Sequence, residues 1–339
     1  MRYSSKQAIC GLAVVAGGVA LLRYAMRSCE YSFRDKVVLI TGGARGLGLV
    51  MARRLAAEGA KLVLCSRTAE QLERAQAELQ SRGAQVLTFR CDVTRRSEVE
   101  AMVRQVIDTW STIDVLINNA GVIQVGPLEA MRAEDYQQAL ETHFWGPFNT
   151  INAVLPQMRE RGEGRIVNIS SIGGRISIPH LLPYSVSKFA LVGYSEGLRS
   201  ELSKHGIWVT TVSPGLMRTG SPRNALFKGR HRSEYTWFTL GGALPPASMN
   251  ADRAAAQTIE ACRRGASAIT LSLPAKAAHA LHGLFPGATA DVAGLVNRLL
   301  PKPGGIGQRS ARGYDSQSLL APSVLTTLNE QAAAANNEL

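Results

Sequence analysis

Cysteine is scarce in this 339-residue chain, and its placement shows no pairing pattern. Cys10, Cys29, Cys65, Cys91 and Cys262 form no C-x-x-C and stand at no metal-ligand spacing from histidine. The odd count argues against a disulfide framework and for a reducing compartment, and no metal site is expected. Acids are in deficit as well, 26 against 38 lysines and arginines, for a net charge of +12. Such a balance is compatible with nucleic acid, a membrane surface or an acidic ligand. No recognition motif or long basic helix supports the first, so no nucleic-acid partner is expected. Wholesale disorder is excluded, because 45% of residues are apolar and only 19% charged. No internal repeat is visible.

The charge is unevenly placed. Arg2, Lys6, Arg23, Arg27, Arg34 and Lys36 face only Glu30 and Asp35 at the start of the chain. Arg218, Arg223, Lys228, Arg230 and Arg232 crowd into residues 217–232 with no acid among them. Everything between and beyond is nearly neutral. Long apolar runs are missing apart from Gln7–Leu22, which is uncharged but shorter than the roughly 20 residues of a membrane-spanning helix. Snorkelling by Arg23 would let Tyr24 to Met26 extend it, and no small-x-small cleavage site follows. Residues 1–34 therefore read as an uncleaved hydrophobic anchor with a basic flank, an ordinary buried helix being the alternative. The larger positive charge after the run places the body on the cytoplasmic face of the membrane.

From residue 35 the pattern changes to apolar runs alternating with helical stretches. Val37–Thr41, Lys61–Cys65, Gln85–Arg90, Ile113–Asn118, Arg165–Ser170, Ile207–Ser213 and Ala268–Leu273 read as strands. Gly48–Glu58, Ala69–Arg82, Arg95–Trp110, Ala133–Glu160 and Tyr184–Lys204 read as helices. This alternation predicts an α/β domain over 35–273 with a doubly wound parallel sheet of about seven strands. An apolar helical extension is expected over 274–300, where Val292, Leu295, Val296, Leu299 and Leu300 share a helix face. The Pro/Gly/Ser-rich run and Ala/Asn tract of 301–339 read as a flexible tail.

Two motifs carry chemistry. The first strand runs into Thr41-Gly42-Gly43-Ala44-Arg45-Gly46-Leu47-Gly48 and then a helix. Glycines 42, 46 and 48 suit a tight turn, backbone approach to a pyrophosphate and close helix–strand packing. The second strand lacks the terminal acid that would bind a ribose 2′-hydroxyl. It ends in Ser66-Arg67, which together with Arg45 predicts NADP(H) rather than NAD(H); two solvated surface arginines are the alternative. The second motif, Tyr184-Ser185-Val186-Ser187-Lys188, places tyrosine and lysine one helical turn apart, where an ammonium would lower the phenol pKa for proton exchange with a carbonyl or alcohol oxygen. Ser170-Ser171 ends the fifth strand just upstream.

Thr41–Gly48, Asp92-Val93, Asn118-Asn119-Ala120-Gly121, Asn168-Ile169-Ser170-Ser171, Tyr184–Lys188 and Pro214-Gly215 with Thr219 occur in the order and spacing of one family. From about residue 35 to 273 the chain resembles a short-chain dehydrogenase/reductase. The resemblance implies a single Rossmann-type domain with strand order 3-2-1-4-5-6-7 and hydride transfer between a nicotinamide and a carbonyl/alcohol pair. It also implies Tyr184 as acid/base, Ser171 on the substrate oxygen, Ser170 supporting the turn, and Lys188 on Tyr184 and the nicotinamide ribose. Asp92 and Val93 would lie by the adenine, Asn119, Ala120 and Gly121 by the middle of the cofactor, and Pro214, Gly215 and Thr219 around the carboxamide. The family's usual asparagine on the helix after the fourth strand is missing, and His143 takes its place. A working variant proton relay is the favoured reading; an impaired site with a space-filling histidine is the other.

The segment 216–249, with Phe227, Tyr235, Trp237 and Phe238 beside its cations, is expected to close over an apolar carbonyl or alcohol substrate, a mobile solvated loop being the plainer reading. His180, Leu181 and Leu182 are expected to line the same pocket. A membrane surface is an expected partner, and a homo-oligomer stays open. A catalytically idle cofactor-binding or scaffold protein of the same fold is the rival reading.

Overall fold

Strands rich in Val, Ile and Leu need cover on both faces, and here they receive it. The sheet strands are β1 Val37–Thr41, β2 Lys61–Ser66, β3 Val86–Arg90, β4 Val115–Asn118, β5 Gly164–Ile169, β6 Ile207–Ser213 and β7 Ala268–Thr270. All pair in parallel, in the order β3-β2-β1-β4-β5-β6-β7. The computed structural model describes residues 31–245 and 247–339, and Phe33–Leu339 form one compact unit. The run Gln7–Leu22 lies outside the described residues. Among those described, no helix is long and apolar enough to cross a membrane.

The helices are α1 Gly46–Ala57, α2 Ala69–Ser81, α3 Arg96–Trp110, α4 Ala133–Leu140, α5 Gly146–Arg161, α6 Leu182–Leu202, α7 His231–Ala243, α8 Ala251–Arg263, α9 Leu273–Leu284, α10 Pro286–Asn297 and α11 Thr327–Ala335. Val99, Met102, Val103 and Val106 of α3 and Ile151, Val154, Leu155 and Met158 of α5 join the buried cluster beneath the sheet. A buried polar thread stitches the centre: Thr150 Oγ1 donates to Asn118 Oδ1 (2.7 Å), Asn118 Nδ2 to Asn168 Oδ1 (2.9 Å), and Asn168 Nδ2 to Ser195 Oγ (3.0 Å). Each buried polar group in it has a partner, so the cost of leaving water is offset.

The stretch expected as one helix over Ala133–Glu160 is three pieces, with a π turn at Glu141–Trp145 between α4 and α5. Pro147 has no amide hydrogen to give the His143 carbonyl, and its ring would crowd that oxygen in α geometry. A wider turn at this point avoids the conflict.

Segment 301–339, expected as a flexible tail, is instead folded onto the body. Ala311–Arg312 pairs with Leu226–Phe227, and α11 packs on α7. Ala321, Thr326, Asn329 and Ala333 are buried. Backbone bonds such as Ile306 N to Gly229 O (2.9 Å) and Gly229 N to Gly307 O (2.9 Å) hold it. Few large apolar side chains take part, which is why composition reads as tail.

Candidate active site and cofactor cleft

The turn after β1 is sized for glycine. Gly42 and Gly46 have φ of +62° and +54°, where a side chain is strained. A Cβ on Gly48 would lie 2.2 Å from the Gly42 carbonyl oxygen. Asn119 ties this turn to the end of β4: its backbone N–H donates to Thr41 Oγ1 (2.9 Å), and its Nδ2 to Thr41 O and Gly42 O (both 3.1 Å). Ala120 N also donates to Thr41 Oγ1 (3.0 Å), and a Cβ on Gly121 would meet His143 Nε2 at 3.0 Å. The cradle therefore fits a dinucleotide diphosphate, and a carboxylate, Glu338, already packs against Gly46.

The other residues expected on the cofactor side sit at neighbouring strand ends. Asp92 Oδ1 accepts from Thr94 N (3.0 Å) and Thr94 Oγ1 (2.9 Å), and Val93 is buried against Gly146. Pro214 O accepts from Ile172 N (2.7 Å), Gly215 packs on Ser272, and buried Thr219 donates to Ser221 Oγ (2.8 Å). At the end of β2, Ser66 is half-buried and Arg67 exposed, close enough to Arg45 for their charges to interact. Leu47 is buried in the first turn of α1, and Ala44 precedes it.

Ser171, Tyr184, Lys188 and His143 converge. Ser171 caps the single turn after β5, its Oγ accepting from Gly173 N (3.0 Å), and its Oγ and the Tyr184 ring both lie against Gly173. Ser170 Oγ donates to Lys188 O (3.1 Å), pinning α6 to the end of β5. Lys188 Nζ donates to Ile169 O (2.8 Å) and lies 5.7 Å from the Tyr184 ring centroid. Burial pushes the Lys188 ammonium down to about 7. Burial also pushes the Tyr184 phenol up, partly countered by Ser171. The expected depression of the tyrosine pKa is thus reversed, because desolvation favours the neutral form of both groups.

His143 stands edge-on to the Tyr184 ring with centroids 5.4 Å apart. Its Nε2 accepts from Val122 N (3.1 Å). Ser187 Oγ donates to Tyr184 O (2.8 Å), so its contact with His143 Nδ1 (2.7 Å) is one in which the imidazole donates. Burial first, and the Lys188 charge second, hold His143 well below the usual histidine range. The ring is therefore neutral, with both nitrogens committed to protein partners and none left for a relay water.

The segment after β6 is ordered, and it differs from the expected cationic, aromatic lid. Lys228 is buried in an ion pair with Asp135 (2.5 Å), Arg223 pairs with Glu330 (3.2 Å), and Arg218 donates to Ser248 O (2.8 Å). Three of its cations are thus taken by the fold itself. Phe227 and Tyr235 are fully buried core residues. Trp237, Phe238, Ile178 and Ile123 are partly buried around Leu181 and Tyr184 and form an apolar wall. Glu234 anchors it, accepting from Trp237 Nε1 (2.6 Å) and bonding His180 Nδ1 (2.9 Å). Sequence reasoning missed Ser187, Glu234 and the tail residues on the glycine turn; a lone acid within an Ala/Asn tract was the only available signal for Glu338.

Residues 36–226, more than half the chain, match the family described as short chain dehydrogenase. A putative oxidoreductase, SadH, of Mycobacterium tuberculosis is 34% identical over 254 residues, which cover 74% of this chain and 91% of that protein. Among solved structures, a short-chain dehydrogenase/reductase of Burkholderia phymatum in complex with NAD is 25% identical with a TM-score of 0.70, covering 76% of this chain and 96% of that one. A gluconate 5-dehydrogenase of Burkholderia cenocepacia in complex with NADP and tartrate is 26% identical with a TM-score of 0.63, covering 73% and 98%. The seven-stranded parallel sheet with flanking helices agrees with these matches: the chain belongs to the short-chain dehydrogenase/reductase family of oxidoreductases.

Proposed function

We propose that the protein is an NADP(H)-dependent oxidoreductase of a carbonyl/alcohol pair on an apolar substrate, with Tyr184 as the acid/base. The observation that carries this reading is the convergence of Ser171 and Tyr184 at Gly173 with buried Lys188 alongside. A nicotinamide bound on the β1 turn supplies the hydride. A phenol whose burial keeps it protonated suits donation to a carbonyl oxygen, and Ser171 steadies that oxygen as negative charge grows. Lys188 holds positive charge near the phenolate left behind. Gly42, Gly46 and Gly48 shape the diphosphate seat, Asn119 fixes it, and Arg67 with Arg45 supplies cations where an NAD-specific site carries an acid.

Trp237, Phe238, Leu181 and Ile178 support an apolar substrate, since the nearby cations are consumed by internal partners. The run Gln7–Leu22 would hold the enzyme at a membrane, where such a substrate partitions. The exposed Leu281, Leu284, Phe285, Leu295 and Leu299 of the α9–α10 region suit the same surface. Comparing NADPH and NADH oxidation on a panel of apolar ketones and aldehydes tests the reading. Activity that survives Tyr184→Phe sinks the mechanism; preference for NADH, unchanged in Arg67→Ser, sinks the cofactor assignment. Protease protection in membrane vesicles tests the location, and full release into the soluble fraction removes the anchor.

A further inference from the structure

The residues after α11 reach back to the glycine turn. Gly46 N donates to Asn336 O (2.9 Å), so the first backbone donor of α1 is already occupied. Asn337 Nδ2 donates to Ala44 O (2.8 Å) and Gln71 O (2.9 Å), while its Oδ1 accepts from Arg74 Nε (2.7 Å). Arg53 secures the approach, with Nη1 on Asn336 Oδ1 and Nη2 on Ala335 O, both at 2.8 Å. The Glu338 side chain then turns inward. Its Oε2 accepts from Gly220 N (2.6 Å), and a Cβ on Gly46 would sit 3.2 Å from its Oε1. Glu338 is only 6% exposed.

This is a seat with matched donors and acceptors at every residue. Its acceptors, a backbone carbonyl and a carboxylate, lie on N–H groups that point outward from the helix start and from the loop after β6. A dinucleotide diphosphate bound on this turn needs the same volume and the same donors, and it brings negative charge of its own. Two anions cannot share one desolvated cradle.

We propose that Asn336–Glu338 is a self-blocking strap: its carboxylate stands where the cofactor diphosphate binds, and the strap must lift before NADP(H) enters. The proposal rests on the reading of residues 41–48 as the dinucleotide site. Occupancy of the seat lowers apparent cofactor affinity by the fraction of molecules in which the strap is lifted. The backbone of the strap itself suits such release. Asn337 has φ of +58°, a conformation that asparagine leaves and enters readily.

The test is direct binding of NADPH to the full chain, to a chain ended after Ala335, and to Glu338→Ala, each followed by NADPH fluorescence at fixed pH and salt. The expected result is affinity about tenfold or more higher for the shortened chain, with Glu338→Ala shifted in the same direction. Hydrogen exchange provides a second readout: saturating NADPH speeds exchange at the amides of Gly46, Gly220 and Glu338 if the strap leaves without replacement bonds, and at Glu338 in any case. Equal or weaker binding in both variants, or a Glu338 amide that stays protected at saturation, overturns the strap. Failure of NADPH and NADH to bind any of the three proteins instead overturns the dinucleotide reading. Glu338→Ala keeps the seat of Asn336 and Asn337, so the result does not depend on how well the shortened chain folds.

Discussion

The Ser171–Tyr184–Lys188–His143 cluster and the seat of Asn336–Glu338 both use loops at the C-terminal ends of strands, yet they are assembled differently. In the cluster, partners come from near in sequence. Tyr184 and Lys188 share one helix, and the contact from His143 to Ser187 spans 44 residues. In the seat, Asn337 and Ala44 are 293 residues apart. Burial drives Lys188, Tyr184 and His143 toward neutrality, and it does the same to Glu338, but there the Gly220 N–H and the Arg45 charge pull the other way. A site built on helix spacing is hard to lose piecemeal. One built on remote backbone contacts can open as a unit.

The largest effect falls on the cluster. Tyr184→Phe should lower kcat by about 10²–10⁴-fold while NADPH affinity stays within about twofold, because only the transferable proton is removed. Parallel losses in binding would mean that the phenol is structural. Next in size is the buried ion pair that ties α4 to the loop after β6. Lys228→Met leaves the Asp135 carboxylate without its cation, at a cost of about 3 kcal/mol, read as a drop in urea midpoint with an unchanged slope. His143→Asn should cost about 1–3 kcal/mol of stability, since Val122 N and Ser187 lose a buried partner. The pH–rate profile should keep its shape, and a lost or shifted limb would restore a relay role to the ring.

The smallest effect falls on the seat of Glu338. Burial raises the Glu338 carboxyl from its ordinary 4.5 to about 7, against the opposing pull of Gly220 N–H and Arg45. A group raised in the docked form takes up a proton on docking. Docking therefore strengthens as pH falls from about 7 toward 4.5, and it is weakest and pH-independent above 7. NADPH affinity of the full chain should fall from pH 7.5 to 5.5 by about threefold to tenfold more than that of Glu338→Gln. The phosphate of the nucleotide titrates identically against both proteins, so the difference isolates Glu338. Identical pH dependence would remove the carboxyl from the switch.

What the sequence made legible follows the same division. Val37–Thr41 and Ile207–Ser213 have the extents expected, because a buried parallel strand writes itself as a continuous apolar run. The Gly42–Gly48 turn and the Tyr184–Lys188 face follow from spacing within one element. Neither the π turn at Glu141–Trp145 nor the Lys228–Asp135 pair could be read, because each depends on what lies opposite in space. The strap was the least legible, since its bonds are backbone and amide contacts that leave no apolar period and its one telling residue is a single glutamate.

The π turn sets the angular phase of the rod formed by α4 and α5. One extra residue rotates everything after it by about 100° relative to a plain α-helix. This offset lets His143 face Tyr184 while Trp145, two residues on, stands 49% exposed. The insertion is thus a rotary adjustment: deleting Thr142 would turn the imidazole away from the phenol without altering any side chain of the cluster.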